Sequence, residues 1–174
     1  MIVDVKLGGS GTIGLSAVAR AAPDGYTIGM GTSTAMTSAP HLIKNPGYDV
    51  VKSFTYLGLI QTTRLVLVVS PALGVNTVAE FIALAKSKPG KLNFGSTGNG
   101  SSMHLAGELF MRETGAQMVH VPYNAPGTAT TNLMAGDIQL MFQLIPGIVG
   151  QVKGGKVRAI AVMAPTRSPA LPDV

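Results

Sequence analysis

Apolar and polar positions follow two different periods along this chain. Short apolar runs are predicted as strands, because β-branched and aromatic residues favour a pleated, half-buried backbone; they are Ile2–Leu7, Tyr26–Gly31, Phe54–Ile60, Leu65–Ser70, Lys91–Phe94, Met118–Val121, Ile138–Phe142 and Val157–Met163. Stretches with apolar residues three or four positions apart are predicted as helices; they are Thr12–Ala22, Thr34–Ile43, Val78–Lys88, Ser101–Thr114, Ala129–Met134 and Ile145–Lys153. Because strands alternate with helices, we expect an α/β fold with a mostly parallel sheet.

One predicted strand-to-helix turn, the Ser96–Ser102 loop, carries the most specific chemistry. It is rich in glycine, serine, threonine and asparagine and holds no charged residue. Glycine lets the backbone turn tightly and approach a ligand closely, and Ser101 or Ser102 can cap the helix that follows. The first N–H groups of a helix lack internal partners and carry partial positive charge. The loop is therefore predicted to bind a carboxylate or a phosphate.

A second glycine-rich turn, Gly8–Gly11, joins the predicted strand Ile2–Leu7 to the next helix. Two such turns indicate a ligand with anionic groups. Residues 9–14 also match the GxGxxG pattern of dinucleotide-binding proteins. That fingerprint needs an acidic residue after the next strand, where this chain has Thr32 and Ser33. An anion-binding turn and a purely structural glycine turn both remain open.

Composition narrows the class of protein. The 174 residues are 46% hydrophobic and 12% charged, which favours a folded domain over disorder. The net charge of +5 comes from scattered basic residues, which suits attraction of small anions better than nucleic-acid binding. No cysteine is present, and three histidines without clustered carboxylates give no metal-ligand spacing, so neither a metal nor a cofactor is expected. No apolar run is long enough to span a bilayer.

Catalysis finds little support in the sequence. The chain lacks the GxSxG elbow of serine hydrolases. His104 lies close to the loop serines, but a catalytic triad also needs a base held by a third group, and Glu108 is the one acid nearby. We expect His104 to shape or line the loop, and His41 and His120 to be structural or surface residues. No catalytic residue is predicted.

Polar residues also follow two other predicted strands. Tyr123 and Asn124 come after Met118–Val121, and Gln143 comes after Ile138–Phe142. Ligands of open α/β sheets collect at the carboxyl ends of strands. Tyr123 either faces such a cleft or packs with its hydroxyl satisfied locally, and both interpretations stay open.

Several motifs along nearly the whole chain carry a family resemblance. They are Gly11–Gly14, Ala19–Thr27, Tyr48–Val50, Ala85–Lys86, Pro89–Asn93, Gly95–Leu105, Val119–Tyr123, Gly136–Gln139, Gly155–Val162 and Arg167–Val174. Together they make the chain similar to the Bug-type periplasmic solute-binding proteins of tripartite tricarboxylate transporters. Relative to that family the chain resembles a fragment lacking both ends.

The resemblance implies a two-lobed periplasmic-binding-protein-like α/β fold that is incomplete in one lobe. Residues 1–66 are expected to form part of lobe I, residues 67–157 lobe II, and residues 158–174 a return strand towards lobe I. The implied location is the periplasm, although no signal peptide is visible in this chain. The implied role is to hold a small carboxylate between the lobes and deliver it to membrane transporter subunits, with no direct membrane insertion.

The resemblance also implies a set of ligand-binding residues: Gly11, Thr12, Thr32, Ser33, Ser96, Thr97, Gly98, Asn99, Gly100, Ser101, Ser102, His104, Tyr123, Asn124 and Gln143. Family members often have an acid at the position of Gln143, and an amide there cannot pair with a ligand ammonium group. A plain mono- or dicarboxylate is therefore expected rather than an amino acid. The alternatives are an α/β enzyme or nucleotide-binding domain that uses the GxGxxG-like turn, and a remnant without a ligand.

Overall fold

A five-stranded mixed sheet organises the chain in a computed structural model of residues 1–174. Its strands are β1 (Leu65–Val69), β2 (Leu92–Ser96), β3 (Met118–Pro122), β4 (Leu140–Leu144) and β5 (Arg158–Val162), in the order β3-β2-β4-β1-β5. β2 runs parallel to both β3 and β4, whereas β1 runs antiparallel to β4 and β5. The prediction of a mostly parallel sheet is therefore wrong for the half that contains β1. Its partners β4 and β5 lie far along the chain, and alternation of strands with helices does not fix the direction of such pairs.

Six α-helices accompany the sheet: α1 (Thr12–Ala19), α2 (Ala39–Leu42), α3 (Val78–Ser87), α4 (Ser102–Thr114), α5 (Pro126–Ala135) and α6 (Ile145–Lys153). A π-helical turn over Thr34–Ser38 leads into α2. Ser101 caps α4, since its hydroxyl accepts a hydrogen bond from the His104 N–H. Gly115 ends α4 in the left-handed conformation that favours glycine. None of the helices is both long and apolar enough to cross a membrane.

The two faces of the sheet pack against different helices. Successive side chains of a strand point to opposite faces, so Leu67 and Val69 of β1 join the core cluster that includes residues of α3 and α4. Val66 and Val68 join the cluster that includes residues of α5 and α6. Because β2 runs parallel to β3 and β4, these three strands end at the same edge of the sheet. The loops that follow them begin at that edge.

A glycine inside α4 is required by close packing of this helix on the sheet. A Cβ atom at Gly107 would overlap the ring of Phe94, which is fully buried. We expect Gly107→Ala to lower the free energy of unfolding by about 1–3 kcal/mol, because the overlap exceeds the gain in helix propensity. Gly127→Ala in α5 is the matched control, since a Cβ atom there meets nothing within 4 Å. Urea denaturation tests the pair; equal stabilisation of both variants would contradict the packing described.

Three predicted strands are absent from the structure. Ile2–Leu7, Tyr26–Gly31 and Phe54–Ile60 form no ladder with any other segment. Their side chains are widely exposed, and the molecule exposes 10369 Å², whereas a compact protein of this mass exposes about 8,000 Å². Strand propensity reports a fit to a half-buried pleated surface, so it does not create a strand where no partner lies alongside. The prediction of strands at residues 2–7, 26–31 and 54–60 is therefore wrong.

Residues 65–162 thus hold the complete sheet, and residues 1–64 contribute helices, turns and extended segments without strand partners. That division fits the expected α/β fold with one incomplete lobe. The finer boundaries, 1–66, 67–157 and 158–174, remain a prediction. The strand of the last segment, β5, lies beside β1 in the same sheet.

Candidate functional site

Three polar turns meet at the carboxyl edge of the sheet. We call them the turn cluster, made of Gly8–Thr12, Thr32–Ala35 and the Ser96–Ser102 loop. The Ser10 hydroxyl donates to the Asn99 carbonyl oxygen at 3.2 Å, and the Ser102 N–H donates to the Thr34 hydroxyl at 3.1 Å. The two glycine-rich turns recognised in the sequence therefore lie together in space, although nearly 90 residues separate them.

Some backbone donors of the Ser96–Ser102 loop are used internally. The Gly98 N–H donates to the Ser96 hydroxyl at 3.1 Å, the Gly100 N–H to Nδ1 of His104 at 3.1 Å, and the Ser101 N–H to the Gly98 carbonyl at 3.2 Å. Others donate to no group of the chain, namely the N–H groups of Thr97, Asn99 and Met103. Uncharged donors at the start of a helix are suited to an anionic ligand.

The loop conformation depends on Gly98. Its φ of 111° lies outside the range that L-residues adopt with ease. A Cβ atom on Gly98 would also come within 3.1 Å of the Ser10 hydroxyl oxygen. Both the sharp turn and the close approach of the Gly8–Thr12 segment thus require a residue without a side chain.

Ser96 and His120 form a buried polar contact below the loop. Ser96 is fully buried, and its Oγ lies 2.6 Å from Nε2 of His120 and 3.2 Å from the Gly98 carbonyl oxygen. All contacts are satisfied when the hydroxyl donates to that carbonyl and accepts from the Gly98 N–H and from a proton on His120 Nε2. Burial and the neighbouring His104 lower the pKa of His120 to about 4. His120 is thus neutral near pH 7, and the direction of its hydrogen bond with Ser96 is set by the tautomer of the ring.

His104 lies directly behind the loop, in the first turn of α4. Its Nδ1 accepts from the Gly100 N–H, and its Nε2 lies 3.3 Å from a carboxylate oxygen of Glu108. The His104 ring centre is 4.1 Å from that of His120, and the ring stacks on Phe94 at 6.3 Å with planes 8° apart. Through these contacts His104 joins the loop to the buried ring of Phe94 and to His120. A direct ligand contact of His104 remains a prediction.

The predicted ligand-binding residues outside the Ser96–Ser102 loop and His104 form two groups, and the first of these lies in the turn cluster. Gly11 lies beside Thr32, since a Cβ atom on Gly11 would be 3.5 Å from the Thr32 hydroxyl. Thr12 is buried, and its hydroxyl donates to the Gly9 carbonyl at 2.8 Å. Ser33 precedes the π-helical turn, and its carbonyl accepts from the Thr37 hydroxyl. Gly11, Thr12, Thr32 and Ser33 thus belong to the turn cluster with Ser96–Ser102.

Tyr123, Asn124 and Gln143 lie at the same sheet edge without a side-chain hydrogen bond to the loop. The Tyr123 N–H donates to the Ser96 carbonyl at 2.9 Å, but its hydroxyl accepts from the Asn132 amide at 2.9 Å. Asn124 is exposed. Gln143 is 2% exposed, and its Oε1 accepts from the Leu144 N–H at 2.8 Å. Of the two interpretations of Tyr123, the structure shows the hydroxyl with a local partner.

Sequence reasoning missed three residues that build this site. Ser10 lies inside a recognised turn, so its hydroxyl could have been included. Thr34 bonds to a residue 68 positions away, and His120 contacts a residue 24 positions away. No local spacing rule connects such pairs, and only the folded chain brings them together. The structure groups no three acidic or histidine side chains that could hold a metal ion.

Comparisons with known proteins agree on one family. The sequence model of the family "Tripartite tricarboxylate transporter family receptor" matches residues 1–174. BugT of Bordetella pertussis is 31% identical over 175 residues, which cover 100% of this chain and 54% of BugT. The chain thus spans about half the length of the curated relatives it matches.

Solved structures show the same architecture. A protein of R. palustris described with adipate has a TM-score of 0.96 and 31% identity, covering 99% of this chain and 58% of its own. MatC of Rhodopseudomonas palustris, described with bound malate, has a TM-score of 0.87 and 29% identity. The match covers 96% of this chain and 57% of the MatC chain. These similarities confirm the periplasmic-binding-protein-like α/β fold with an incomplete lobe.

Proposed function

Because the chain belongs to the tripartite tricarboxylate transporter family of receptors, we propose that it binds a small mono- or dicarboxylate at the turn cluster. The family is one of receptors rather than enzymes, in agreement with the prediction of a binding protein without catalysis. The observation that carries the proposal is the set of free N–H groups at Thr97, Asn99 and Met103, beside the start of α4. Such donors attract a carboxylate without transforming it.

The contacts across the turn cluster support capture between two parts of the chain. Ser10 and Thr34 come from the first 64 residues, and their partners Asn99 and Ser102 belong to the loop that follows β2. A ligand bound between these segments would favour the state in which they are close, through its higher affinity for that state. The two related proteins described with adipate and malate hold dicarboxylates, which supports that ligand class for this chain.

The cellular location of the receptor and the delivery of its ligand are part of the same proposal. One related structure is described as a periplasmic transporter and another as the periplasmic binding protein BugD, so we place this receptor in the periplasm. There it would pass its ligand to the membrane subunits of a tripartite transporter. Neither a metal nor a cofactor takes part in the proposed binding.

Isothermal titration with adipate, malate and the uncharged dimethyl ester of adipate tests the proposal. We expect adipate or malate to bind and the ester to bind at least about tenfold more weakly, because the ester lacks the charge that the N–H groups recognise. Equal binding of acid and ester would contradict the proposal. Tight binding of a dinucleotide in their place would favour the GxGxxG interpretation, and tightest binding of an amino acid would refute the inference from Gln143.

A further inference from the structure

We propose that His104 is a positioning residue for the Ser96–Ser102 loop, and that the neutral imidazole holds the loop in its binding conformation. The inference rests on the proposed function, because it concerns how the same loop is kept ready for a carboxylate. His104 acts through Gly100, whose N–H donates to its Nδ1. His104 is thus assigned a role behind the ligand site, distinct from the ligand contact that the family resemblance suggests.

The hydrogen bonds of His104 fix its protonation state. Nδ1 accepts the Gly100 N–H and therefore carries no proton, while Nε2 carries the proton that faces Glu108. If Nδ1 were protonated, two N–H groups would face each other and the Gly100 hydrogen bond would be lost. The loop would then lose the tie that joins Gly100 to the first turn of α4.

The His104 ring is contacted from α4, β2 and β3. A carboxylate oxygen of Glu108, one turn along α4, lies 3.3 Å from Nε2. The Phe94 ring stacks on the imidazole, and the centre of the His120 ring lies 4.1 Å from that of His104. His120 is held by Ser96, which also accepts the Gly98 N–H. The two histidines therefore fix two neighbouring parts of one loop, Gly98 through Ser96 and Gly100 directly.

Two substitutions of His104 distinguish the effect of its hydrogen bond with Gly100 from the effect of its ring packing on Phe94. His104→Asn and His104→Ala both remove the ring that stacks on Phe94. The asparagine side-chain oxygen reaches nearly the same place as Nδ1, so it keeps an acceptor for the Gly100 N–H, and it does not titrate. His41→Ala is the matched control, since His41 is exposed on α2.

Titration with adipate at about pH 7.5 gives the first readout. We expect His104→Ala to weaken binding about tenfold, as the loss of one loop hydrogen bond implies. His104→Asn should bind within about threefold of the unsubstituted chain. His41→Ala should bind as the unsubstituted chain does.

Amide hydrogen exchange without ligand gives the second readout. We expect faster exchange at Gly100 in His104→Ala and near-normal exchange in His104→Asn. Equal behaviour of His104→Ala and His104→Asn in the titration and in the exchange experiment would overturn the positioning role. If no carboxylate binds the unsubstituted chain while exchange differs as expected, the proposed function fails and the positioning role stands.

Discussion

Replacing Phe94 by alanine is expected to lower the free energy of unfolding by about 3–5 kcal/mol, the range found for large aromatic truncations in cores. Phe94 is fully buried in β2 and packs against α4 so closely that Gly107 leaves no room for a Cβ atom. Its ring also contacts the rings of His104 and His120. Truncation would open a cavity at the junction of the sheet, α4 and the loop.

Urea denaturation monitored by circular dichroism measures this effect. Tyr26→Ala serves as the control, because Tyr26 is 93% exposed and surface truncations usually change stability by less than about 0.5 kcal/mol. Phe94→Leu keeps most of the buried volume and gives a measurable variant if Phe94→Ala does not fold. A loss below about 1 kcal/mol in Phe94→Ala would show that the core is not organised around this ring.

The sequence predicted the elements whose signals are local. The Ser96–Ser102 loop and the α6 boundaries Ile145–Lys153 were predicted correctly, and of the two predicted caps, Ser101 and Ser102, the structure shows Ser101. Glycine, capping residues and helical periodicity act within a few positions, so these signals are local. The strands of the sheet were located to within two residues at each end. The predicted strands in residues 1–64 failed, because a strand also requires a neighbour, and apolar alternation carries no information about whether one is present.

The site was predictable only in part for the same reason. Its glycine turns could be recognised one by one, but their meeting depends on contacts such as that between Ser10 and Asn99. His120 was assigned to structure or surface, and its contact with Ser96 became visible only when β3 was placed beside β2. Side chains that contact each other across parallel strands have no characteristic spacing in the sequence by which the pair could be identified. The ligand roles of Tyr123, Asn124 and Gln143 stay predictions.

Replacing Gly98 by alanine should have the largest effect on ligand binding, at least about tenfold weaker for adipate. Residues other than glycine held in such backbone conformations cost about 1–3 kcal/mol, and Gly98 has a φ of 111°. The added Cβ atom would also press on the Ser10 hydroxyl at 3.1 Å. To relieve both, the loop must shift, which displaces the free N–H groups of Thr97 and Asn99.

Gly74→Ala is the matched control for backbone strain at a glycine. Gly74 also has a positive φ, 68°, but a Cβ atom there meets nothing within 4 Å, and the residue lies after β1, away from the turn cluster. We expect it to lower stability by at most about 1 kcal/mol and to leave adipate titration unchanged. If both variants bind adipate as the unsubstituted chain does, the loop backbone does not hold the ligand. If Gly98→Ala alone loses binding while it stays folded, the carboxylate depends on the backbone geometry of this loop, because the substitution removes no polar group.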